Sequence, residues 1–229
     1  MSNFDSDGSQ EGEWDDRGDV AWNEFDWERY LREQDEAVLR YLRFYESCQG
    51  SAERVDEVAE KMGWGLDDKE TDGDAGGAAV EVDDGEPENF PGDEEVYTLH
   101  KNPIFIATKA IGLSLRRSWG TAAADSAKVP QSLALDFMDS LYRHEEQAVQ
   151  AIHALDFGDY AMAVSLFKRA LSALNGSLAL INTESTVWTP AVRAWREEAS
   201  TRLFDLREIW LRVMTECRDE LNRPVDDES

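Results

Sequence analysis

NPIFIATKAIGLSLRRSW, Asn102 to Trp119, is the stretch whose reading decides the fold. Asn102 followed by Pro103 reads as a helix cap and first helical residue. An Asn side chain accepts an orphan backbone N–H, and Pro has none to leave unpaired. Ile104, Thr108, Ile111 and Leu115 mark one face of this helix, and Ile106, Ala110 and Leu113 mark a second. A helix apolar on two sides belongs among neighbours rather than on a surface. It is too short for a membrane span, which takes about 20 apolar residues, and Lys109 interrupts it. The expectation is a central helix sheathed by longer amphipathic ones.

Those longer helices lie on either side. Over residues 22–48, Trp27, Leu31, Val38, Leu42 and Tyr45 recur at helical spacing, Tyr30, Tyr41 and Phe44 widen the stripe, and Asn23 is placed to cap it. Residues 52–62 form a short second helix with Val55, Val58, Ala59 and Met62 as its stripe. Ser51 reads as its cap and Gly63 as its left-handed stop. The two make a hairpin across Gln49-Gly50. Downstream, Gly120 to Val129 reads as a loop of small residues. Ala134, Leu141, Ala148 and Leu155 then recur every seventh residue of a helix over 130–156. His144 and Glu145 fall in the middle of that seam. Tyr160, Phe167, Leu174 and Ile181 line a helix over 160–182. A final helix over 190–221 carries Val192, Trp195, Ala199, Leu203, Leu206, Trp210, Val213 and Cys217. The fold class expected is all-α, a five- to six-helix bundle. Its parts are a disordered acidic tail (1–20), a helical hairpin packed on the bundle (21–64), a flexible acidic linker (65–96), a four-helix bundle (97–222) and an acidic end (223–229).

Charge is the compositional outlier. The 229 residues include 49 acidic and 23 basic side chains, a net of −26. Residues 1–19 contribute −6 and residues 67–95 contribute −12, together −18, which leaves −8 for everything else. A field of this sign disfavours nucleic acid and anionic membranes and favours basic partners. Cys48 and Cys217 are the only cysteines. Two distant thiols, no Sec-type leader and no long apolar run give the expectation of a soluble, cytoplasmic protein.

The passage GDYAMAVSLFKRAL, Gly158 to Leu171, resembles the second half of a tetratricopeptide repeat. Gly158-Asp159-Tyr160 matches that family's inter-helix turn. Ala163, Phe167 and Ala170 match its small, aromatic and small positions, and Ala151 suits a small position of the preceding helix. The resemblance implies a tightly packed helical hairpin. No further copy follows, and stacked repeats need neighbours to bury their faces.

Chemistry-bearing residues are sparse. There are three histidines, His100, His144 and His153. Neither His144 nor His153 has a Glu three positions before it, as a di-iron bundle would require. Zinc spacing, a phosphate-binding glycine loop and a serine elbow are all missing from the sequence. The metal-ligand candidates are His144, Glu145 and His153, with Asp136 and Asp139 on the same helix. The alternative for His144 and Glu145 is a polar pair that fixes helix register. In the linker, Asp68, Glu70, Asp72 and Asp74 alternate as calcium ligands do, but Glu81 comes too late for the closing position. Interaction candidates are Trp14, an aromatic within Glu13-Trp14-Asp15-Asp16, together with Arg116 and Arg117. That arginine pair either complements the dipole of its helix end or receives carboxylates from the linker or a partner.

No cofactor is expected. The function expected is a non-enzymatic interaction or adaptor protein with a protein partner, in which self-association through the final helix remains open. The competing readings are a metal- or small-molecule-binding helical enzyme with its site near His144 and Glu145, and an acidic protein that sequesters a basic partner.

Overall fold

A computed structural model describes residues 23–64, 101–182 and 190–223. Six helices and no strand are found among the described residues: α1 (Glu24–Ser47), α2 (Arg54–Lys61), α3 (Pro103–Ala122), α4 (Gln131–Asp156), α5 (Tyr160–Asn182) and α6 (Pro190–Asn222). α3 packs against α1, α4 and α6, while α5 packs against α4 and α6. The last four helices therefore form a bundle with α3 and α5 on one diagonal, and α1 lies against α3. The stretch 102–119 is the inner rod that its two apolar faces predict: Phe105 to Thr108, Ala110 to Gly112, Ser114, Leu115 and Trp119 are all buried.

Helix ends follow local chemistry. Asn23 and Asp26 form a reciprocal capping box at α1. Asn102 Oδ1 accepts the N–H groups of Ile104 and Phe105 at 3.0 and 3.1 Å. Asp159 Oδ1 accepts that of Met162 at 2.9 Å. Gly63 and Gly158 turn the chain at φ +80° and +74°, a region that costs other residues strain.

Three local expectations are corrected. Ser51 does not cap α2: the cap position is Glu53, without a side-chain bond, and the Ser51 hydroxyl instead accepts from Glu53 N and donates to Glu57. α3 continues three residues past Trp119 to Ala122, so Arg116 and Arg117 lie inside the helix and its last turn holds no cation. Finally, Trp27 and Leu31 are 53% and 49% exposed. The buried residues of α1 all belong to its second half, Ala37 to Tyr45.

The core is aromatic, and its indole N–H groups are satisfied. Trp119, Phe137 and Trp195 meet with ring centroids 4.5 to 5.5 Å apart. Trp119 donates to Ala134 O at 3.0 Å, Trp195 to Ser118 Oγ at 3.1 Å and Trp210 to Thr108 Oγ1 at 3.1 Å. A buried indole without a partner would lose a hydrogen bond to water, which accounts for Thr108 on an apolar face. α4 and α5 pack on each other, and Ala151 of α4 and Ala163, Phe167 and Ala170 of α5 are fully buried. The hairpin is fastened to α6 by polar groups. The Tyr45 hydroxyl donates to Asp205, Arg54 forms an ion pair with the same carboxylate, the Arg54 guanidinium lies 4.5 Å over the Tyr45 ring, and Arg212 pairs with Asp56. Burial raises the pKa of Asp205, against the lowering pull of Tyr45 and Arg54. Among the described residues no helix is long and apolar enough to cross a membrane.

Candidate functional site

His144 and Glu145 are neighbours in sequence but occupy separate environments. The His144 imidazole is 1% exposed, with Nδ1 3.3 Å from Ser177 Oγ and its ring edge-on to Trp210. Its Nε2 has no hydrogen-bond partner among the described residues. Burial, then the nearby Arg116 charge, pushes its pKa down to about 3, so the ring is neutral at physiological pH. Ser177 in turn donates to Ser140 Oγ at 2.9 Å, which links α5 to α4.

Glu145 turns towards α3 instead. Its carboxylate, in a residue 6% exposed, receives Lys109 Nζ at 2.8 Å on Oε1 and Arg116 Nη1 on Oε2. The Arg116 guanidinium also lies 5.2 Å over the Tyr142 ring. Burial lowers the pKa values of Lys109 and Arg116, with Arg116 adding to the effect on Lys109. Gly112 creates the space, since a Cβ there would overlap Glu145 Oε2. The arrangement is an ion-paired bolt between α3 and α4.

His153, on the same helix, is exposed. The structure therefore does not bring the three metal-ligand candidates together, and among the described residues no group of three or more His, Cys, Asp or Glu could hold a metal ion. Trp14 and the alternating acidic residues of the linker lie outside the described residues. Arg116 and Arg117 part company: Arg116 is committed to Glu145, whereas Arg117 is exposed and faces another feature.

That feature is a cleft of about 1160 Å³ between α1, α3 and the start of α6. Its buried liners are Ala37 and Leu42 of α1, Ile106 and Ser114 of α3, and Arg202 of α6, with Met62 and Trp64 half-buried at one side. Arg40, Arg43, Lys101 and Arg117 stand exposed on the walls, as do Glu33, Glu36, Glu46 and Glu198. Arg202 is 5% exposed and pairs with Glu198 through Nη2, but its Nε has no partner among the described residues. Arg40, Arg43 and Arg117 form no salt bridge among the described residues. Sequence reasoning missed this cleft because its cations come from three helices far apart in the chain. Of its lining, the sequence singled out Arg117 alone as an interaction candidate.

Compared with protein-family models, with curated proteins and with solved structures, the chain matches none of them.

Proposed function

We propose that this is a non-enzymatic interaction protein whose partner docks in the cleft between α1, α3 and α6. The observation that carries the reading is the combination found there: apolar surface from Ala37, Leu42 and Ile106 beside three exposed arginines without salt bridges among the described residues. Unspent donors over apolar surface are what a partner can satisfy on binding, since an apolar centre with a polar rim is the usual anatomy of an interface. The bundle beneath supplies a rigid platform and the hairpin one wall.

A photo-crosslinking residue at exposed Leu39, on the cleft wall, tests the reading. It should capture a discrete partner from native lysate, while the same group at exposed Ser165 on α5 should capture none. Equal capture at both positions, or at neither, would reject the cleft as the docking site.

A further inference from the structure

The outer face of α6 repeats itself every eleven residues. Arg196-Glu197, Arg207-Glu208 and Arg218-Asp219 each place a cation directly before a carboxylate. Eleven residues make three helical turns plus about 20°, so the three arginines fall on one nearly straight line and the three carboxylates on a second. Phe204 and Leu211 lie three or four positions from both Arg207 and Glu208, which sets them between the two lines. They are 52% and 39% exposed, and a groove of about 460 Å³ runs along them, with Arg207, Glu208, Arg212 and Thr215 as its other liners. Arg196 is half-buried, and the other five charged groups are exposed. Of the six, only Glu208 forms a salt bridge among the described residues, with Arg212. The opposite side of α6 packs on α3 and α5.

We infer that this face is an interface with a second copy of the chain, the two α6 helices lying side by side and parallel. An apolar strip with one basic and one acidic edge complements itself in that orientation. A two-fold axis along parallel helices turns the basic edge of each copy towards the acidic edge of the other. Arg207 then meets Glu208 of the other copy, and Arg196 and Arg218 meet Glu197 and Asp219. Phe204 and Leu211 rest on their own counterparts, as the inner positions of a two-stranded coiled coil do. In an antiparallel pair the two-fold axis crosses the helices, and each edge faces its own sign. The two signs are equal in number on this strip, so their separation into lines, rather than a net charge, selects the occupant. The strip is separate from the cleft, whose α6 liners Glu198 and Arg202 lie on another side of the helix. Two apolar side chains per copy and solvated ion pairs make the association weak, with a dissociation constant on the order of 10–100 µM.

Sedimentation velocity on the full chain, from about 1 to 500 µM, should show monomer giving way to dimer. The Arg207→Glu, Arg218→Glu variant should lose roughly tenfold in self-affinity, and so should Glu208→Arg, Asp219→Arg. Each variant carries one sign on both edges over two of the three steps and repels its own copy. An equimolar mixture of the two should pair at least as tightly as wild type, because opposite signs meet again. Misfolded variants could not give that rescue. Thr215→Cys, in the groove, should form a disulfide with its own counterpart under mild oxidation, while wild type, whose Cys48 and Cys217 are buried, forms none. Monomer at every concentration would leave the face to some other partner and overturn the proposal. A dimer indifferent to both charge variants, or a mixture no tighter than its components, would overturn it too. If Arg207→Glu, Arg218→Glu pairs with wild type more tightly than wild type pairs with itself, the helices are antiparallel and the proposed interface is wrong.

Discussion

Gly112 and Glu145 show how closely α3 and α4 are fitted. A methyl group at Gly112 would overlap Glu145 Oε2 and stand 3.2 Å from Arg116 Nη1. Alanine is the better helix former by about 1 kcal/mol, yet overpacking costs about 1–3 kcal/mol, so Gly112→Ala should lower the urea midpoint. Gly176 on α5 meets nothing within 4 Å, and Gly176→Ala should raise it. Glu145→Ala leaves Arg116 and Lys109 without their shared carboxylate. Fully buried pairs lose about 3–5 kcal/mol in this way, and the partial exposure of Lys109 reduces the expected loss to about 2 kcal/mol. His144 makes stability depend on pH. The folded ring is held near 3, while the unfolded ring keeps a pKa near the ordinary 6.5. Between those values the unfolded chain binds the extra proton, so stability is full above 6.5 and falls as the pH drops towards 3. The slope is at most about 1.4 kcal/mol per pH unit. The advantage of wild type over His144→Gln in urea unfolding should therefore shrink from neutral pH to about pH 5, and parallel curves would contradict this. The sequence shows a polar pair in an apolar seam. That the two side chains leave α4 in different directions follows from helix geometry, but the partners they meet do not.

The hairpin offers a contrast between two attachments to α6. Asp205 is the junction for Tyr45 of α1 and Arg54 of α2, and Arg54 is buried. Asp205→Ala should cost about 3 kcal/mol by leaving that guanidinium uncompensated. Hydrogen exchange should then speed up in α1 and α2 while α5 keeps its protection. Arg212 and Asp56 pair close to half-exposed at the solvent edge, and Arg212→Ala should stay within about 1 kcal/mol of wild type. At this scale the helices were legible because each carries a long stripe at one period, and caps such as Asn23 and Asn102 are short-range chemistry. Ser51 was misread because a serine before a helix can bond Glu53 and Glu57 instead of capping, a choice made by backbone angles. Arg116 was misread because its partner lies 29 residues away on another helix. Periodicity says which face is buried and not which neighbour covers it.

Across the whole molecule, one sign of charge dominates. Net repulsion at −26 opposes compaction, so added salt should raise the thermal unfolding midpoint. The bundle could be read from sequence because its apolar faces are continuous. The cleft could not, because Arg43, Arg117 and Arg202 converge only after three helices have docked. One consequence follows from the way α1 is gripped. Its C-terminal half is buried from Ala37 to Tyr45, while Phe25 and Leu31 are largely exposed and the outer turns carry the Asn23 cap and the exposed Asp26–Arg29 and Glu28–Arg32 bridges among their contacts. Mechanically this is a cantilever, and on warming it should fray from Glu24 inwards and stop at the clamp.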